Sequence, residues 1–374
     1  MTTLLTVVVV HYDIPREFPR TLRSLLTPYQ LDIRPDEYEI IVVDNGSSTM
    51  PDVSWAHATG TTVDVIRVDD PTPSPSRAVN LGLNAAMGKH IGVFVDGARI
   101  ASPRLLRTAL EALSISERAV VGSRGRYLGP AFQRESMLDG YDKATEDVLL
   151  SSIDWEHDGY ALFDVSVFDE SSGPSWFTPV AESNSLFMTR NLWKELGGFS
   201  EEFTSPGGGF VNLDTWKRAC ELPEALPILL AGEATFHQLH GGVATNSPKS
   251  ATNPMRAEYE RIRGRAYSSP GGIHIWGSFR GRPPLRDLGI LNRERKALAK
   301  NYSLLRPTGT LPADPDVTAL ERRVRRLYWR SRLSVTGPTL RAGRAVRKSI
   351  RRLGRRVRRS RAGRIISRRP PRPN

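Results

Sequence analysis

Over the first hundred residues, short apolar runs alternate with stretches of helical spacing. Residues 4–10, 39–43, 63–68 and 91–95 are Val/Ile-rich runs that predict four strands. Between them, residues 16–26 and 76–87 carry apolar positions at helical spacing and predict two helices. Ser102-Pro103 reads as an N-cap followed by proline at the first helical position, opening a helix to about Leu113. Strands without strict polar alternation, interleaved with helices, predict an α/β fold with a mostly parallel sheet covered on both faces.

Further along, residues 127–177 are irregular and rich in Trp, Tyr and Asp, which suits loops and short strands over a site. A helix is expected over 190–196, running into Gly197-Gly198-Phe199. Another is expected over 214–220, a buried strand over 227–231 and a helix over 254–263. The predicted organisation is one α/β domain over 1–250 and a part packed on it over 251–306. An Arg-rich extension, helical or partly disordered, follows over 307–374.

Length and composition narrow the class. A chain of 374 residues can bury a large core. The single cysteine, Cys220, excludes an intrachain disulfide, so nothing demands an oxidising compartment. The apolar run near the N-terminus is far short of the ~20 residues of a membrane span and lacks the basic flank of a signal peptide. The cytoplasm is therefore the expected location. Charge is unevenly placed: of the net +13, residues 321–374 hold 21 Lys and Arg against one acid. The rest carries 32 against 39, a net of −7, so the overall basicity says nothing about the folded part.

Ligands of open parallel sheets sit beyond the carboxyl ends of the strands. Three polar residues fall there: Asp44 after IIVV, Asp96 after IGVFV and His237 after LPILLAGEATF. Asn45-Gly46 and Gly97 follow the two aspartates, and glycine lets a ligand approach the backbone. A carboxylate there can accept from a base N–H or a ribose hydroxyl. Each aspartate alone reads equally well as the start of an Asx turn; two on one sheet edge favour a nucleotide site.

At this point the motifs resemble those of a known family. The opening VVVVHYD with PRTLRSLL, then IIVVDNGSS, NLGLNAAMGKHIGVFVDGAR, SNSLFMTRNLWKELGGFSEEF and GGGFVNLDTWKRA are similar, in order and spacing, to family 2 glycosyltransferases of the GT-A fold. They span roughly residues 4 to 245. The resemblance implies transfer of a sugar from a nucleotide-sugar donor to an acceptor, with inversion. It implies that Tyr12, Asp44 and Asn45 lie against the nucleotide, with Arg77, Asn80, Asp96, Gly97 and Arg99 completing the donor site. Asp96 takes the first position of the family's DXD motif.

Three departures matter. Val79 stands where an arginine often precedes the Asn-x-Gly of such enzymes, with Arg77 two residues upstream. Ala98 replaces the second acid of DXD, and Asn212 falls where the family places the acid that usually serves as base. One aspartate and one histidine, Asp96 and His237, could still hold a divalent metal (Mn²⁺ or Mg²⁺) with diphosphate oxygens. Alternatively Arg99, helped by Arg77, neutralises the diphosphate. The expected base is Asp214, with Glu182 as second candidate. Asp214 also reads as the N-cap of its helix, and Glu182 as a solvated loop acid. Asn184 could orient a sugar hydroxyl, and His240 could close over the diphosphate or acceptor. His237 and His240 alone do not make a zinc site, because no further Cys/His cluster completes four ligands.

Val346, Ile350, Leu353 and Val357 recur at helical spacing among arginines, a basic amphipathic pattern suited to an anionic membrane surface. The acceptor would then be lipid-linked or part of a cell-envelope glycan. A disordered or protein-binding tail competes with that reading; a nucleic-acid arm is disfavoured by the scarcity of interleaved aromatics. Two other functions stay open. One is a nucleotide-sugar-binding protein that has lost transfer, suggested by Ala98 and Asn212. The other is a nucleotidyltransferase, which would need a Gly-rich phosphate loop that HYDIPREFP does not supply.

Overall fold

The structure is a computed structural model that describes residues 3–173, 175–241 and 252–279. The Arg-rich extension over 307–374 lies outside the described residues, as do residues 280–306 of the part expected to pack on the catalytic domain. In chain order the elements begin β1 (Leu5–His11), α1 (Phe18–Leu25), β2 (Tyr38–Asp44), β3 (Thr62–Arg67), α2 (Ser76–Ala85) and β4 (His90–Phe94). They continue with β5 (Arg99–Ala101), α3 (Leu105–Leu113), β6 (Ala119–Leu128), α4 (Gln133–Leu138), α5 (Lys143–Ser151) and β7 (Ser166–Phe168). Last come β8 (Ser185–Thr189), α6 (Arg190–Leu196), α7 (Val211–Cys220), β9 (Leu226–His237), α8 (Thr252–Arg263) and β10 (His274–Gly277).

The strands form one sheet in the order β10-β9-β6-β8-β4-β1-β2-β3, with β5 paired to β9 and β7 to β6. Only β8 breaks the parallel run along that path, lying antiparallel between β4 and β6. This is the mostly parallel α/β architecture expected from the sequence. All seven residues of β1 are buried because both faces are covered. Strand periodicity sends Val7 and Val9 to a layer containing Phe18, Leu22 and Leu105. Val8 and Val10 go to the opposite layer, with Val79, Trp193 and Trp216. Gly82 lets α2 lie close on the sheet, since an added Cβ would sit 2.4 Å from Val8 Cγ1.

Three boundaries and one whole strand depart from the sequence reading. Helix α3 begins at Leu105 after Arg104, not at Pro103; the Ser102 hydroxyl instead donates to buried Glu233 at 2.5 Å. Helix α7 begins at Val211, so Asp214 lies in its first turn and is not its N-cap. Strand β9 runs twelve residues to His237, well beyond the apolar core of residues 227–231. Strand β6 was hidden by two arginines, Arg124 and Arg126, both fully buried. Their charge is met inside: Arg126 donates to the Ser166 hydroxyl and carbonyl at 2.9 Å and stacks 4.4 Å over the Phe168 ring.

These elements set up the site. Parallel register pairs His11 with Asp44 and Val9 with Phe94, so β1, β2 and β4 end at one edge. On β5 and β9, antiparallel register places Arg99 opposite His237.

Candidate active site

Asp44 and Asp96 both stand at this carboxyl edge, with β1 between their strands. Asp44 is fully buried and its oxygens are occupied. They receive His11 Nδ1 at 3.0 Å, Arg67 Nη1 at 3.2 Å and the Ser47 backbone N–H at 3.2 Å. The carboxylate thus holds the turn that follows it from three residues on, inside an ion-paired cluster. Tyr12 is exposed. Asn45 is buried and donates to the Thr72 carbonyl at 2.9 Å. Arg67 spans the edge, with a second donor bonded to the Ser47 carbonyl at 2.9 Å.

The remaining donor-side candidates separate. Arg77 is turned to Asp70 at 2.8 Å. Asn80 braces the chain after α6, accepting from Phe199 N–H and donating to its carbonyl, each at 2.9 Å. Gly97 is required by β1: a Cβ there would meet the Val10 carbonyl oxygen at 2.3 Å. Its small size serves packing at the edge, where the sequence suggested ligand approach.

Asp96 is the centre of a tight cluster. Its Oδ2 lies 3.0 Å from His237 Nε2 and its Oδ1 3.7 Å from His240 Nε2. The two imidazole Nε2 atoms are 3.0 Å apart. Burial works to raise the Asp96 pKa, but the two imidazoles outweigh it and hold the carboxyl well below its usual range. Burial lowers His237 to about 4 against the pull of Asp96, so this ring is neutral near pH 7. For His240 burial acts in the same direction, but Asp96 wins and the pKa is raised. One ligand atom from each side chain lies within 4.8 Å of the others, a donor set that suits a divalent ion.

From Asp96 a line of charge runs across the edge. Arg99, 6% exposed, places Nε 3.4 Å from Asp96 and Nη1 3.8 Å from Asp169. Neither nitrogen has a hydrogen-bond partner. Asp169 accepts from the Ser172 backbone N–H at 2.8 Å and lies close enough to raise the pKa of Glu182. Burial is the larger cause of that rise and Asp169 the second. Asn212, on the first turn of α7, donates to Glu182 Oε2 at 2.9 Å and is 3.4 Å from Asn184 Oδ1.

Asp214 is placed differently. It is buried, and its carboxylate receives Arg218 Nε at 2.7 Å and Arg263 Nε and Nη2 at 2.6 and 2.8 Å. Arg218 in turn donates to the Leu196 and Gly198 carbonyls. The arrangement ties α7, α8 and the end of α6 together. The Trp155 and Trp176 rings are buried in a third apolar cluster with Tyr29, Phe163 and Phe236.

Sequence reasoning passed over His11, Arg67, Gln133 and Asp169. His11 was detectable as the polar end of an apolar strand, and Asp169 sits in the acidic FDESS stretch. Gln133 touches His237 from a short helix more than a hundred residues upstream and has no local signal.

Residues 6–171, from β1 through β7, match the family model for glycosyl transferase family 2. This match takes in less than half of the chain and makes residues 6–171 similar to that family. Among solved structures, TarS of S. aureus is similar at 15% identity and TM-score 0.43, covering 63% of this chain and 37% of that one. TarS 1–349 in complex with UDP-GlcNAc is similar at 14% identity and TM-score 0.44, covering 69% and 65%. The mannosyltransferase PcManGT from Pyrobaculum calidifontis, in complex with GDP-Man and Mn²⁺, is similar at 18% identity and TM-score 0.41, covering 71% and 65%. The chain spans less than two thirds of the length of each. No curated protein matches it. No helix among the described residues is long and apolar enough to cross a membrane.

Proposed function

We propose that the protein transfers a sugar from a nucleoside-diphosphate sugar to an acceptor hydroxyl, with inversion at the anomeric carbon. The observation that carries this reading is the line of groups Asp96, Arg99, Asp169 and Glu182 along the carboxyl edge of the sheet. One end is cationic and metal-competent; the other holds a carboxylate with a raised pKa.

Glu182 is the base in this reading. Asn212 donates to one of its oxygens and so orients the carboxylate that takes the acceptor proton. As the acceptor oxygen bonds to the anomeric carbon, the bond to the diphosphate breaks on the opposite face. Arg99 meets the negative charge that develops on the leaving group with donors already in place. A divalent cation held by Asp96 and His237 would add positive charge at the same point. Asp214 is set aside as base because two arginines occupy its oxygens. On the nucleotide side, Asp44 acts by anchoring Arg67 and His11 beside Tyr12 and Asn45.

The acceptor is proposed to be a lipid-linked or envelope glycan at the inner face of a membrane. Support comes from the +20 net charge of residues 321–374 and its amphipathic spacing. The test uses the full chain with UDP- and GDP-linked sugars, with and without Mn²⁺. A true donor raises the melting temperature and releases nucleoside diphosphate only when acceptor is present, giving a product of inverted linkage. Donor binding without turnover on any acceptor would instead establish a nucleotide-sugar-binding protein.

A further inference from the structure

We propose that Tyr267, on the chain that follows α8, is a positioning residue for Glu182 and acts by anchoring the peptide that leads into it. The inference rests on Glu182 being the base and adds a residue that chain order does not suggest. The residue before Glu182 is Ala181, and both of its backbone polar groups are taken. Its N–H donates to the Ser171 carbonyl at 2.7 Å, and its carbonyl accepts from the Tyr267 hydroxyl. That carbonyl shares one rigid peptide plane with the Glu182 N–H, so fixing it fixes the direction in which the Glu182 backbone departs.

Both anchors are firm. On the Ser171 side, Arg124, fully buried on β6, donates to the Ser172 carbonyl and to the Thr178 carbonyl at 2.5 Å. Gly125 beside it lets Asp169 close on the strand, since an added Cβ would sit 1.9 Å from Asp169 Oδ2. On the other side, the Tyr267 ring stands edge-on to Tyr259 at 5.4 Å and to Phe210 at 6.2 Å. Lys217 on α7 reaches Ser268 at 3.2 Å, and the same helix carries Asn212, the donor to Glu182. Burial raises the Tyr267 pKa, a Ser269 hydrogen bond opposes this, and the Glu182 carboxylate adds to the rise. The phenol therefore keeps the proton it donates and lies within the field of the base. A base displaced by an ångström can lose about 10²-fold in rate, so an anchor of this kind is worth more to turnover than to stability.

The test compares Tyr267→Phe, Glu182→Gln and the double variant in the full chain, with UDP- and GDP-linked hexoses as donors and octyl hexosides as acceptors. Tyr267→Phe removes the hydroxyl and leaves the ring. We expect kcat to fall about tenfold, with the donor KM within about twofold and the melting temperature within about 4 °C of the native chain. Added to Glu182→Gln, the same change should cost less than about twofold, because its effect runs through that carboxylate. Native kcat in folded Tyr267→Phe, or an equal loss with and without Glu182, would overturn the proposal. Should Tyr267→Phe misfold, Ser268→Ala loosens the same segment from Lys217. A kcat lower by at least about threefold at constant donor KM would then support the proposal, and an unchanged kcat would overturn it. Near-native turnover in Glu182→Gln would instead remove the reading of Glu182 as base, and the inference with it.

Discussion

Asn212 donates its side-chain amide to Glu182 at 2.9 Å, while Asp214, two residues further along α7, faces Arg218 and Arg263. About half a turn of helix therefore separates a carboxamide bonded to Glu182 from a carboxylate bonded to two arginines. If Glu182 removes the acceptor proton, Glu182→Gln keeps the shape and the bond geometry near Asn212 but cannot accept that proton. We expect kcat to fall by about 10²–10⁴-fold, with donor binding by thermal shift unchanged. Turnover within threefold of wild type would show that another group is the base.

Asp214→Asn should behave in the opposite way. It leaves two arginines facing a neutral amide in a buried position, and breaking such pairs is costly. The expected loss is about 2–4 kcal/mol, below the cost of a fully buried pair because both guanidiniums remain 25% exposed. A melting temperature several degrees lower, with kcat per folded molecule retained, is the predicted outcome. Loss of turnover at wild-type stability would return Asp214 to the chemistry.

The pH profile follows from the surroundings of Glu182. A base must be deprotonated, so activity falls as pH drops through its pKa. Burial first, and the Asp169 carboxylate second, raise that pKa above the ordinary glutamate value. The acid limb of kcat should therefore lie at higher pH than a solvent-exposed glutamate would give. Asp169→Asn removes the like charge and should move the limb to lower pH. A limb that stays in place in Asp169→Asn would separate the two carboxylates.

Much of the frame was legible because β1, β2 and β4 are apolar runs that end in a polar residue, a pattern that chain order alone reveals. Their burial on both faces follows from the absence of polar alternation. Strand β6 was not legible, since Arg124 and Arg126 look like surface residues until Ser166 and Phe168 are brought to them from forty residues away. The site divides in the same way. Asp96 and His237 could be placed at strand ends, and Glu182 was within reach as a loop acid. The real environment of Asp214 was not, because Arg263 arrives from another helix 49 residues later. Neither was the turn of His240 towards Asp96, which depends on Glu146 and Arg16 holding the Leu239 peptide.

Arg99 gives the sharpest test of how the missing second acid is compensated. Its guanidinium sits between Asp96 and Asp169 without hydrogen-bonding either through Nε or Nη1. A buried cation with unmade bonds is costly at rest and becomes useful when oxygens of a departing diphosphate take those positions. Arg99→Lys keeps the charge but loses the planar fork. We expect kcat to drop by about 10²–10³-fold with the donor KM little changed, the size seen when one transition-state donor is removed. Thermal melting must accompany the kinetics, because the variant also disturbs two buried carboxylates. A rise in KM with kcat preserved would mean that Arg99 only binds the donor, and that a divalent cation held by Asp96 and His237 would have to meet the charge on the departing diphosphate.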